Sequence, residues 1–310
     1  MAPDASPADA LTVVVGEALV DIVVSPDGSS REHVGGSPAN VAIGLARLGH
    51  PVELATHIGD DERGRRVRAH LERDGVRLVE GSVTAARTPT ATATLDEAGV
   101  ATYTFDLAWD LPADLGPGTA AHVHIGSIAT ALQPGAEQVR RIVEQARVHS
   151  TVSFDPNLRP AILGAPEPRR PGVESLVALC DVVKASDEDL SWLYAGESVD
   201  SILSRWATLG PSLVVCTLGG EGARVLVGGE FFTVPPMRVK VVDTVGAGDS
   251  FMGALISGLL DAGLLGSPAG RTALATADPA AVRPALDRAI RVAGITCSRA
   301  GADPPYRREL

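Results

Sequence analysis

The sequence predicts an α/β chain: a doubly wound, mostly parallel sheet with helices on both faces, plus a small β-sheet lid. Three observations predict it. Short β-branched apolar runs alternate with helical patterns along the chain. The runs are almost continuously apolar, as strands are when both faces of a sheet are covered. Two other segments break the rhythm, and one of them alternates strictly, as a half-exposed hairpin does.

In chain order, residues 1–10 hold Asp4 and Asp9 and no apolar core segment, so a disordered tail is expected rather than a signal peptide. Strands are expected at 12–16, 52–59, 122–127, 151–155, 181–186 and 213–220. Helices are expected at 38–50, 61–75, 136–150, 199–210, 247–264 and 280–300. The right-handed crossover rule makes these one doubly wound unit spanning 1–310. The lid is assigned to insertions at about 19–35, with a Pro-Asp-Gly turn at 26–28, and 88–109, where Thr/Ala alternation flanks the turn DEAG. A further hairpin at 223–236 belongs at a sheet edge, 238–244 reads as a strand, and 262–280 reads as a loop.

Composition narrows the function classes. The formal charge is −11 and the two lysines are Lys184 and Lys240. Such a surface repels phosphodiester backbones and anionic lipids, so no nucleic-acid and no membrane partner is expected. Three scattered cysteines, Cys180, Cys216 and Cys297, form no CxxC pair and suit reduced thiols of a cytoplasmic protein.

Three glycine clusters carry the chemistry. In VVDTVGAGDSFMGALISGLL (241–260) a turn at Gly246, Ala247 and Gly248 opens an apolar helix. A helix N-terminus offers free N–H donors and partial positive charge, so this is an anion site. Asp249 follows at once, either as a first-turn acid of structural use or as a catalytic group. In CTLGGEGA (216–223), Thr217, Gly219, Gly220 and Gly222 suit a phosphate, or a tight hairpin turn. In HVGGSPANVAIGLARLG (33–49), Gly35 and Gly36 precede Ser37 and Pro38, read as N-cap and N1 of a helix with Asn40 in its first turn. No P-loop is present. The dinucleotide fingerprint fails because its third glycine falls at Gly253, two positions late.

Together, GGSPANVAIGLARLG and DTVGAGDSFMGALISGLL resemble the two signatures of the ribokinase-like, PfkB-type carbohydrate kinases, and the wording is most similar to fructokinases. The resemblance spans nearly the whole chain. It implies ATP-dependent phosphorylation of a sugar or nucleoside hydroxymethyl group, with Asp249 as general base. Backbone N–H groups of Gly246, Ala247, Gly248 and Asp249 would form the anion hole. It implies sugar binding by Asp21, Gly35, Gly36 and Asn40, and nucleotide binding by Lys184, Ser186, Thr217, Gly219, Gly220 and Gly222. Mg²⁺ is implied with ATP. The family's Asn-x-x-Glu metal motif is replaced by Ser186-Asp187-Glu188-Asp189, leaving Asp189 or Glu188 to orient the ion. A monovalent cation, K⁺, is implied at Asp243, the Val245 carbonyl and the segment around Ala300 and Gly301.

The acceptor follows from three stretches. SFDPNLRP (153–160) has the form seen in fructokinases and 2-keto-3-deoxygluconate kinases. There Asn157 would contact sugar or phosphate and Arg159 would neutralise the transferring phosphoryl. Gly126 stands where ribokinases offer a sugar-binding glutamate. In YTFDLAWDL (103–111), Phe105 is placed to cover a neutral sugar and Asp106 to repel a carboxylate. The expectation is fructose to fructose 6-phosphate. 2-Keto-3-deoxygluconate, ribose or a nucleoside are same-family alternatives, and an NAD-binding oxidoreductase or a non-catalytic sugar-binding regulator are those of another class. Both a monomer and a homodimer fit the lid.

Overall fold

The computed structural model describes residues 10–97, 100–112, 115–116 and 118–310. The expected tail over 1–9 and the Ala98–Gly99 half of the DEAG turn lie outside them. The elements in order are β1 (Thr12–Val15), β2 (Leu19–Val24), β3 (Ser30–Gly35), α1 (Ser37–Arg47), β4 (Val52–Ala55), α2 (Glu62–Arg73), β5 (Arg77–Leu78), β6 (Thr90–Leu95), β7 (Ala101–Asp106) and β8 (His122–Gly126). Then come α3 (Gly135–Ala146), β9 (Thr151–Asp155), α4 (Pro160–Leu163), α5 (Arg170–Val177), β10 (Val182–Ser186), α6 (Asp187–Leu193), α7 (Val199–Leu209) and β11 (Leu213–Thr217). The chain closes with β12 (Ala223–Val227), β13 (Glu230–Val234), α8 (Ala247–Asp261), α9 (Pro268–Ala275) and α10 (Pro279–Cys297).

Nine strands form one sheet in the order β13-β12-β11-β10-β9-β8-β1-β4-β5. All pairings from β11 to β5 are parallel, while β12 and β13 add an antiparallel hairpin at one edge. Side-chain alternation divides the core in two. Val14, Val182 and Val215 point to the face covered by α1, α8 and α10. Val13, Val15, Val123 and Phe154 point to the face covered by α3, α5, α6 and α7. β1, β8 and β9 are buried along their whole length, as strands covered on both faces are.

On the α8 face, β8 and β9 also bury His122 and His124. Ser153 Oγ lies 2.8 Å from His122 Nε2 and 2.9 Å from His124 Nδ1. Burial drives both imidazoles down to about 3, so they stay neutral. α8 is apolar on nearly every side because it is buried between α1 and α10. Gly258 lets it cross α10 closely, since a Cβ there would lie 2.5 Å from Ala285 Cα.

The second sheet has the order β3-β2-β6-β7. Two antiparallel hairpins are joined by the parallel pair β2–β6. It grows from the segments assigned to a lid.

Three expectations need correction. Residues 238–244 form no strand: the N–H groups of Val242 and Asp243 turn to Cys297 O at the end of α10, at 2.8 and 3.3 Å. The β-branched run is therefore tied to a helix end, and Val241 is left 59% exposed. The expected loop at 262–280 contains α9, which Ser267 caps through Gly270 N at 3.0 Å with Pro268 in the first turn. α1 is capped by Gly36, one residue before the expected Ser37. The short helices α4, α5 and α6 were not foreseen either.

Candidate active site

Two helix N-termini meet at the centre of a cavity of about 2210 Å³. α1 enters through Gly35 and Gly36, and each glycine has a steric cause. A Cβ on Gly35 would lie 2.1 Å from Asp21 Oδ2. Gly36 has φ +109 and its Cβ would lie 2.5 Å from Glu17 O. Gly35 therefore makes room for Asp21, and Gly36 for the Glu17 backbone, rather than only for a ligand. Asp21 lies exposed on the cavity wall, yet the surrounding protein desolvates its carboxyl and raises its pKa against the pull of His33 and Arg159. We expect Gly35→Ala to displace Asp21 and raise the acceptor KM about tenfold, as loss of a charged hydrogen bond does, with the nucleotide KM changing little. An unchanged acceptor KM in steady-state assays would remove Asp21 from acceptor binding.

α8 enters through Gly246, which holds φ +74 and whose Cβ would lie 2.4 Å from Ala302 Cβ. Asp249, in the first turn, does not cap its own helix. It crosses to α1: Ser37 Oγ donates to its Oδ1 at 2.6 Å, and Asn40 Nδ2 donates to its Oδ2 at 2.8 Å. Asp249 is 8% exposed and lines the cavity. Sequence reasoning missed Ser37 because its position before Pro38 suggested a cap. The displaced cap frees the hydroxyl to donate to Asp249. Of the four N–H groups assigned to the anion hole, that of Ala247 already donates to Thr244 O at 3.2 Å.

Behind this turn lies a buried ion pair. Lys184 Nζ donates to Asp155 Oδ2 at 2.6 Å, and both residues are buried. Lys184 reaches the cavity beside Gly248, whose Cβ would sit 3.3 Å from Nζ. Burial opposes the ammonium charge, but Asp155, Asp189 and Asp249 outweigh it and raise the Lys184 pKa. Burial pushes the Asp155 carboxyl up to about 6. Its Oδ1 is buried with no hydrogen-bond partner. Asp155 was not foreseen as a site residue, although it heads the quoted stretch DPNLR.

Asp189 is committed elsewhere. Its Oδ1 accepts from Leu158 N at 2.7 Å, and its Oδ2 accepts from Ser186 N and Oγ at 3.0 and 2.8 Å. Ser186 and Asp189 thereby form the capping box of α6 and pin the loop after β9. Glu188 is exposed on the cavity wall. Among the described residues no group of three His, Cys, Asp or Glu side chains is arranged to hold a metal ion. Asn157 adopts φ +38, and Arg159 Nη1 folds back onto Asn157 Oδ1 at 2.6 Å, with both residues lining the cavity.

At the other end of the cavity Thr217 Oγ1 donates to Ala185 O at 3.4 Å. Gly219 and Gly220 have open space where a Cβ would go, so ligand atoms can approach their backbone. Gly222 differs: its Cβ would lie 2.1 Å from Val234 O, a requirement of the hairpin itself. Asp243 ties two loops together, Oδ1 accepting from Val245 N at 3.0 Å and Oδ2 from Gly301 N at 2.9 Å. On the small sheet Phe105 lines the cavity and stacks on Tyr103 with ring centroids 6.1 Å apart. Asp106 does not line it and pairs with Arg87 at 3.2 Å, so the expected repulsion of a carboxylate is withdrawn. Gly126 cannot carry a side chain, since a Cβ would meet Asp155 O at 2.6 Å.

The profile of pfkB family carbohydrate kinases matches residues 9–308. The chain belongs to that family. A fructokinase of Klebsiella pneumoniae is 35% identical over 260 residues, covering 81% of this chain and 85% of the relative. A fructokinase of Rhizobium leguminosarum bv. trifolii is 33% identical over 257 residues, covering 79% and 78%. Among solved structures, a double mutant of Vibrio cholerae O395 fructokinase with fructose, ADP and potassium bound is similar with a TM-score of 0.76 and 29% identity, covering 95% of this chain and 94% of that one. As a pfkB carbohydrate kinase the chain has its two signature stretches at the two converging helix N-termini. Gly253, counted toward a dinucleotide fingerprint, lies inside α8, where its Cβ would face Val41 O at 3.3 Å. No helix among the described residues is long and apolar enough to cross a membrane.

Proposed function

We propose that this carbohydrate kinase transfers the γ-phosphoryl of ATP to the primary hydroxyl of fructose, giving fructose 6-phosphate. The observation that carries the reading is the Asp249 carboxylate held by Ser37 and Asn40 between a glycine-rich helix N-terminus and the wall formed by Asp21. Asp249 accepts the proton of the attacking hydroxyl as its oxygen bonds to phosphorus and the bond to the ADP oxygen breaks. The acceptor displaces Asn40 or Ser37 from one carboxylate oxygen as it binds. Gly246, Gly248 and Asp249 supply backbone donors to the transferring group, and Lys184 adds a fixed positive charge beside them. Thr217, Gly219 and Gly220 hold the nucleotide, while Val241, Val245 and Met237 offer it an apolar wall.

Mg²⁺ bound with ATP would supply further neutralisation, with Glu188 and Asp187 on the cavity wall as the carboxylates that would hold its waters. Asp189 acts instead by fixing the loop that carries Asn157 and Arg159. We place K⁺, as found with the Vibrio cholerae enzyme, between the Asp243 and Gly301 loops. Phe105 and the small sheet, acting as a lid on the single α/β domain, cover the sugar and exclude water. With its cysteines unpaired, the chain suits the cytoplasm, as a monomer or homodimer.

A coupled ADP-release screen with fructose, ribose, 2-keto-3-deoxygluconate, tagatose 6-phosphate and adenosine tests the substrate. Fructose is expected to give the highest kcat/KM. Another acceptor turning over while fructose does not would overturn the choice.

A further inference from the structure

The sheet order reverses direction between β1 and β8. From β1 the chain builds outward through β4 and β5, and after β8 it builds the other way through β9, β10 and β11. Open α/β sheets bind ligands in the crevice at the carboxyl ends of the strands flanking such a switch. Glu17 stands just past β1, and Ser127 just past β8. Their side chains meet across the crevice. Glu17 Oε2 accepts from Ala129 N at 3.3 Å, and the nearby Ser127 side chain favours the ionised carboxyl.

Glu17 is 6% exposed and lines the cavity. Its backbone is fixed from two sides, by the diglycine pressed on Glu17 O and by Thr56 Oγ1, which accepts from Ala18 N at 3.0 Å. Ser127 holds φ +58, a left-handed conformation that costs energy for a residue with a side chain. The 127–130 turn is therefore a strained segment that needs an anchor, and the proposed phosphoryl transfer leaves Glu17 with no part in the chemistry.

We propose that Glu17 is a positioning residue for the acceptor: its carboxylate clamps the 127–130 turn so that Ser127 and Ile128 form a fixed wall of the sugar pocket. The inference rests on the sugar-kinase reading. Burial raises the Glu17 carboxyl to about 7, opposed by the bonds from Ser127 and Ala129 and by the charge of Arg159. Arg159, on the loop before α4, is the charged group that bears on it, and it also bears on Asp21. Both donors favour the ionised form, so the clamp is tight above about pH 7 and slackens as Glu17 gains a proton.

The test compares acceptor KM and kcat from about pH 6 to about pH 8.5 in the wild type, Glu17→Gln and Ser127→Ala, with whichever acceptor the wild type turns over. In the wild type KM is expected to fall about fivefold as pH rises through about 7, the worth of a slackened charged hydrogen bond, with kcat moving less. Glu17→Gln is expected to hold KM flat at the wild type's acidic value. Ser127→Ala removes a bond that favours the charge and is expected to move the inflection to higher pH. A Gln variant that follows the wild-type curve overturns the proposal. So does an unmoved inflection in Ser127→Ala, which decides the matter alone if the Gln variant does not fold. Failure of fructose as acceptor shows in the wild type by itself and leaves this comparison intact on the true acceptor.

Discussion

Asp249→Asn is expected to lower kcat by about 10²–10⁴-fold, the span assigned to a positioned general base. The amide has nearly the carboxylate's shape, so Ser37 Oγ can still donate to its oxygen. It cannot accept a bond from Asn40 on its nitrogen side, where the structure has a 2.8 Å contact. The cost to stability is that of one strained hydrogen bond, about 1 kcal/mol. Nucleotide affinity should stay within a few-fold, because the backbone donors of the α8 N-terminus do not depend on that side chain. Calorimetric titration of nucleotide and acceptor, beside steady-state kinetics, separates these effects. Near-normal turnover by a cleanly folded Asn variant would show that another group takes the proton.

Lys184→Met is expected to be the most destabilising single change near the site. Removing one partner of a buried pair leaves the other charge uncompensated, at about 3–5 kcal/mol. Asp155 softens that cost, since burial already raises its carboxyl to about 6 and losing Lys184 raises it further. A carboxyl whose folded pKa lies above its unfolded value adds stability at low pH and loses it as pH rises through the folded pKa. The variant should therefore regain stability relative to the wild type as pH falls from about 8 to about 6. Adding Asp155→Asn should restore most of the loss, and the double-mutant cycle reads the coupling. Denaturant unfolding at two pH values checks both points, and a stability gap that does not change with pH would mean that Asp155 stays ionised.

Much of the fold was legible because burial on both faces writes itself into composition. TVSFD stands out as a run and becomes β9 with the same bounds, 151–155. The small sheet was legible because Thr/Ala alternation over 88–107 has the period of a strand with one face to solvent. Residues 238–244 misled for the same reason. They have strand composition, but what decides strand formation is a neighbour to pair with, and their N–H groups find Cys297 O instead. The short helices α6 and α9 carried readable starts: Ser186-x-x-Asp189 was read only as a metal motif, and Ser267-Pro268 as part of a loop.

The site divides along the same line. The sequence by itself determined two glycine-rich helix N-termini more than 200 residues apart, because helix starts and side-chain-free approaches are local properties, and their resemblance to the two carbohydrate-kinase signatures joined them into one chemistry. Only the tertiary structure decided how they are used. It put Asp249 on Ser37 and Asn40 across a separation of 212 and 209 residues. It bonded Asp189 to Leu158 N and Ser186, paired Asp106 with Arg87, and set Glu17 across the crevice between β1 and β8. Apart from the Ser186 cap, each of these joins a side chain to a backbone or side-chain group distant in sequence. Such bonds depend on where the sheet order brings strand ends together, which no local pattern encodes.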